Sequence, residues 1–142
     1  MNRLSQFERS LEDTERLWRP SLFRARSRWQ SLGYALQGLR DAWESQLNLR
    51  LHVYVGIGTV AVGMCLRLSI LEWLWISFAI GLVIFAELMN TAIEQTIDFV
   101  VGARFDPLAR RVKDLAAGCV LAAAIIAAVI GALTFGQHLL TG

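Results

Sequence analysis

No Asp, Glu, Lys or Arg occurs between Leu115 and Leu140, a stretch rich in Ala and Gly. A helix built from it has no charged face to offer water, which excludes the usual surface helix of a soluble domain and suits close helix contacts in a bilayer. Cysteine is scarce. The two present, Cys65 and Cys119, each sit inside an apolar run without metal-ligand spacing, so they read as packed or lipid-facing thiols rather than ligands. Residues 1–26 contain no long apolar run and do not fit a secretory signal peptide. A basic patch is missing too: the net charge is only +2, and a nucleic-acid partner is not expected.

What the chain has instead is apolar length. Over 142 residues it is 55% hydrophobic, with a mean hydropathy of +0.45, too apolar for an ordinary soluble fold and short enough for one domain. The reading is an all-α integral membrane protein. Residues 1–26, mixing acids with arginines around Pro20, are expected to be a mobile cytoplasmic N-terminal extension, and 27–142 the membrane domain. Within 27–47, Trp29, Leu32, Leu36, Leu39, Trp43 and Leu47 recur at spacings of three and four, with Arg28, Gln37, Arg40 and Glu44 off that stripe. This predicts an amphipathic helix lying in the membrane interface.

Three membrane spans follow, at about 49–66, 70–101 and 107–140. The first is short for a hydrocarbon layer of about 30 Å unless its helix continues from Leu47. Its Gly56, Gly58 and Gly63 lack the Lys-Ser/Thr of a phosphate loop and are read as helix-packing positions. Ser69 and Glu72 have the spacing of a capping box for span two, and Trp73 and Trp75 follow as an aromatic belt. Gly102 is expected to end that span; Asp106 and Pro107 are expected to cap and open the third. Of the 14 Lys and Arg residues, nine lie before Leu51, one before span two, four between spans two and three, and none after. The positive-inside rule therefore predicts a cytoplasmic N-terminus and 102–114 turn, with the C-terminus outside.

One segment breaks the apolar rule. Toward the cytoplasmic end of span two, Glu87, Asn90, Thr91, Glu94 and Asp98 share one helical face. An ionisable group at the bilayer centre costs about 2.5–3.5 kcal/mol on insertion scales, so such groups persist mainly beside a cavity, partner or ligand. Counting from Ile70 puts Glu87 at the inner edge of the hydrocarbon and Glu94 roughly 10 Å further, in the water layer. Counting about the turn puts Glu94, Lys113 and Asp114 at similar height.

A site at that boundary can meet a lipid headgroup from one side and a soluble molecule from the other, which suits phosphoryl transfer. Glu94 and Asp98 would serve a divalent metal, Lys113 the phosphates, and Glu87 the accepting hydroxyl. A proton or cation pathway competes, since intramembrane carboxylates serve transporters. A purely structural role, with the carboxylates paired to arginines, also stays open.

Glu87-Leu-Met-Asn90-Thr91-Ala-Ile-Glu94-x-x-x-Asp98, then Ala109-x-x-x-Lys113-Asp114-x-Ala-Ala, with Tyr34-x-x-x-Gly38-Leu-Arg40 and Asn48-x-Arg50-x-His52, resemble the small integral-membrane diacylglycerol kinases of bacteria, a family that includes undecaprenol kinases. The resemblance covers about residues 28–140. It implies a homotrimer in the bacterial cytoplasmic membrane, with sites shared between neighbouring chains, ATP with Mg²⁺ as donor and a lipid alcohol as acceptor. It assigns Glu87 as the catalytic carboxylate, Glu94 as a metal ligand, Tyr34, Lys113 and Asp114 as nucleotide contacts, and Asn90, Asp98, Arg40, Asn48 and Arg50 as site-lining residues. Two departures stand out. Gln46 occupies the usual place of a second metal-binding Glu, which implies weaker metal affinity and leaves a kinase-derived protein without catalysis as an alternative. Arg104-Phe105-Asp106 replaces the usual Glu-Tyr-His. Asn48-Leu-Arg50-Leu-His52 and Pro107-Leu-Ala resemble the undecaprenol kinase branch more than the diacylglycerol one.

Overall fold

The computed structural model describes residues 28–102 and 104–141; the expected N-terminal extension lies outside them. All regular structure in these residues is helical: α1 (Arg28–Ser45), α2 (Leu47–Leu66), α3 (Ile70–Val101) and α4 (Pro107–Thr141). The chain divides into two units after Gly38, so the first unit is represented by the opening turns of α1. There Trp29, Leu32, Tyr34 and Leu36 are exposed.

α1 ends at Ser45 rather than running on to Leu47, because Gln46 adopts extended backbone (φ −108°, ψ 109°). The break is one residue long. The Gln46 N–H still donates to Ala42 O at 2.9 Å, while its carbonyl accepts from Arg50 N at 3.4 Å, so both flanking helices keep their terminal turns satisfied. Trp43 meets Tyr54 edge to face at 6.0 Å across the break, a geometry in which the ring edge faces the π cloud of its neighbour.

α2 has 20 residues because Leu47 and Asn48 do join it, which at 1.5 Å per residue gives a length matching the hydrocarbon layer of about 30 Å. It ends at Arg67, which takes the left-handed conformation (φ 55°) and donates its N–H to the α2 carbonyls; Leu68 N closes on Gly63 O. The glycines divide in two. A Cβ on Gly63 would lie 2.9 Å from Leu68 Cδ1 and 3.0 Å from Trp73, and one on Gly56 would lie 3.2 Å from Ile80, whereas Gly58 meets nothing within 4 Å. Gly56 and Gly63 therefore bring α2 against its neighbour, and Gly58 does not share that role. Gly63→Ala is expected to destabilise the protein by about 1–3 kcal/mol through forced repacking, with Gly58→Ala within about 0.5 kcal/mol. Denaturant unfolding in detergent micelles reads the difference, and equal stabilities would remove Gly63 from the packing.

α3 opens with the capping box: Glu72 N donates to Ser69 Oγ at 3.4 Å and Ser69 N to Glu72 Oε2 at 2.7 Å. The other carboxylate oxygen, Oε1, lies 2.9 Å from His138 Nε2 near the end of α4. One glutamate thus caps its own helix and ties α3 to α4. At the opposite end, Gly102 (φ 64°) stops α3, and Asp106 Oδ1 accepts from Leu108 N and Ala109 N to start α4. The result is an antiparallel α3–α4 hairpin, with α2 packed on α3.

α2, α3 and α4 are each long and apolar enough to cross a membrane, and most of their surface is not buried within the chain. α3, at 32 residues, is about 48 Å long. It exceeds the hydrocarbon layer by several turns.

Candidate active site

On α3 the buried positions are Ile76, Ala79, Val83, Glu87 and Thr91. Their spacing of three and four marks one stripe facing the packed interior. The first three are apolar; Glu87 and Thr91 continue the same face. Glu87 is therefore buried, at 4% exposure, by the periodicity that forms the core. Thr91 Oγ1 donates to the Glu87 carbonyl at 3.0 Å, satisfying a hydroxyl that would otherwise be stranded. Exposure then rises along the helix, from partly buried Asn90 and Glu94 to exposed Asp98. The predicted polar stripe runs from interior to surface.

Three pairings organise it. His52 Nε2, from α2, lies 3.3 Å from Glu87 Oε1. Asn90 Nδ2 donates to Glu94 Oε1 at 3.0 Å, one turn apart on α3. Lys113, from α4, donates to Asp98 Oδ1. Sequence counting matched Lys113 with Glu94, but the ammonium engages a carboxylate one turn nearer the connection. Two polar atoms, Arg50 Nε and Asn90 Oδ1, are buried without a hydrogen-bond partner among the described residues. A donor and an acceptor in that state carry a desolvation cost unless a further group meets them.

The other sequence-derived candidates are not drawn into these pairings. Asp114 faces Arg110 on its own helix at 3.7 Å, with both side chains well exposed. Arg40 is held by Glu44 at 2.8 Å. Asn48 is exposed and Gln46 half-buried, the latter at the α1–α2 break with no side-chain capping bond. Tyr34 belongs to the first unit and is exposed. Asp98, Arg104, Lys113 and Asp114 line a cleft of about 230 Å³ beside the α3–α4 connection. A second, largely apolar groove of about 390 Å³ is walled by α2, α3 and α4, with His52 and Thr59 its polar lining side chains.

His52 is the residue that the structure adds to the site; in the sequence it stands in the Asn48-x-Arg50-x-His52 motif with no role assigned to it. A signal was present. His52 lies 15 positions before Arg67 and Glu87 lies 18 after Ser69, so an antiparallel pair folded at that turn sets them at comparable depth.

The sequence profile of prokaryotic diacylglycerol kinase matches residues 33–135, a span that includes the three pairings of the polar stripe. The chain belongs to the prokaryotic diacylglycerol kinase family. It is thereby one of the lipid kinases, and its three long apolar helices make it a multi-pass membrane protein. It is 37% identical to the diacylglycerol kinase of Synechocystis over 71% of its length, and the match spans 58% of that protein. With the undecaprenol kinase of Bacillus subtilis it shares 36% identity over 75% of this chain and 86% of the other. The diacylglycerol kinase of Escherichia coli K12 is 27% identical over 77% and 88% respectively. Family members named for two different lipid alcohols thus resemble this chain to nearly the same degree.

Proposed function

We propose that this protein transfers the γ-phosphoryl group of ATP to the primary hydroxyl of a membrane lipid alcohol, diacylglycerol or undecaprenol, at the cytoplasmic face of a bacterial membrane. The observation that carries the reading is the burial of Glu87 on the interior face of α3, beside a stripe that reaches the surface at Asp98. A desolvated carboxylate at the lipid boundary suits a group that orients or deprotonates an alcohol. The apolar groove lined in part by His52 suits the chains of the lipid.

Glu87 takes the lipid hydroxyl, Lys113 and Asp114 the nucleotide beside the α3–α4 connection, and Tyr34 a further nucleotide contact. Asn90, Asp98, Arg40, Asn48 and Arg50 line the site; the buried Arg50 Nε supplies a donor suited to a phosphate oxygen. In the carboxylate-free apolar groove the lipid is kept from water, so that its hydroxyl, rather than water, is the acceptor presented to the phosphoryl group.

Among the described residues no three His, Cys, Asp or Glu side chains converge on a metal-binding cage. Mg²⁺ does not need one: it is usually held by one or two carboxylates with substrate phosphates and water completing the shell. Glu94, steadied by Asn90, with the uncharged carbonyl of Gln46, fits Mg²⁺ delivered with the nucleotide. When bound, the ion offsets phosphate charge.

α1 is proposed to lie in the membrane interface, and the apolar surfaces of α2–α4 left exposed by the chain support a homotrimer in which neighbours cover them. The N-terminus and the α3–α4 connection are assigned to the cytoplasm. The deciding experiment is transfer of labelled phosphate from ATP, with Mg²⁺, to diacylglycerol and to undecaprenol side by side in mixed micelles. Transfer to either supports the reading, and the ratio of kcat/KM values names the acceptor. Folded protein that transfers to neither across a range of Mg²⁺ would favour loss of catalysis at Gln46.

A further inference from the structure

We infer that His52 is the positioning residue for Glu87, an inference that rests on the kinase reading above. Among the described residues no Lys or Arg approaches Glu87 within 4.0 Å; the side chain in reach is the imidazole of His52, with Nε2 3.3 Å from Oε1. The Glu87 side chain is 5% exposed and that of His52 27%. The imidazole thus touches the buried carboxylate and also lines the groove, which Glu87 does not.

Glu87 has little else to hold its head. The Thr91 hydroxyl is committed to the Glu87 backbone carbonyl and not to the carboxylate. α4 brings no Asp, Glu, Lys or Arg between Leu115 and Leu140, its titratable groups there being exposed Cys119 and His138, and the latter is engaged by Glu72 far down the hairpin. On α3 itself the next carboxylate, Glu94, is two turns away and bonded to Asn90. A carboxylate that must meet an alcohol within hydrogen-bond distance loses about 100-fold in rate for a displacement of about 1 Å. Its orientation thus falls to the imidazole contact from the neighbouring span.

The geometry distinguishes a positioning role from packing or proton uptake. A glutamine at 52 can present an amide N–H near the place of Nε2, an asparagine near that of Nδ1, and a leucine neither. His52→Gln is expected to keep kcat within about threefold, while His52→Asn and His52→Leu lower it about 10–100-fold with KM for ATP and lipid within about twofold. Full activity in His52→Leu would overturn the inference, as would a His52→Gln protein as slow as His52→Leu.

A second readout does not depend on turnover. The chain has 2 histidines, so ¹⁵N-imidazole labelling gives two resolvable rings, and Glu87→Gln is expected to shift the Nε2 resonance of His52 and leave that of His138 in place. An unmoved His52 resonance overturns the contact whether or not the protein is a kinase. Conversely, that shift on Glu87→Gln, found together with a wild-type protein that phosphorylates no lipid, overturns the kinase reading, and the positioning role with it.

Discussion

Glu87→Gln is expected to lower kcat for lipid phosphorylation by about 10²–10⁴-fold, the usual contribution of a positioned acid–base group, and to leave ATP affinity within about twofold. The substitution preserves shape and removes charge at a site with 4% exposure. Because the groups assigned to nucleotide are Lys113 and Asp114 on α4 and Tyr34 on α1, none of which pairs with Glu87, the nucleotide should not sense it. A fall in kcat without a change in KM is the signature of an interaction made chiefly in the transition state. Stability separates this from a structural role. Glutamine fills the same volume as the buried glutamate and needs no repacking, so the variant should unfold no more easily than wild type. Wild-type turnover in Glu87→Gln would falsify the assigned role, and impaired folding with normal specific activity would make the residue structural.

The second large effect concerns metal. Glu94→Gln is expected to raise the Mg²⁺ concentration giving half-maximal rate by about 10–100-fold, since a site holding one protein carboxylate has no other charge with which to retain the ion. Gln46→Glu should do the opposite and lower it, by adding a second carboxylate at the α1–α2 break. The side chain there makes no capping bond, so nothing in that turn has to be given up. Mg²⁺ titrations at saturating ATP and lipid measure both. An unchanged requirement in Glu94→Gln would separate that residue from the ion, and no response in Gln46→Glu would place position 46 outside the metal's reach.

Much of the local structure was readable in the chain because it depends on neighbours in sequence. The Ser69–Glu72 box, the stop at Gly102 and the start at Asp106–Pro107 each use backbone groups within a few residues. The charge-free run from Leu115 to Leu140 in the third span required only composition. The α1–α2 break at Gln46 was less visible, since glutamine is an ordinary helix residue and its extended backbone reflects how the two helices are joined.

The sequence by itself determined that this is an all-helical membrane protein with three spans, and that Glu87, Asn90, Thr91, Glu94 and Asp98 share one face, because helical period and hydropathy are local properties. The tertiary structure alone decided what that face meets. It set His52 against Glu87, moved Lys113 to Asp98, confined Asp114 and Arg40 to partners on their own helices, and separated Gly56 and Gly63 from Gly58. Those choices depend on the rotation and stagger of each helix against the next. Both are fixed by side-chain packing between segments distant in sequence, so no periodicity within one helix can specify them.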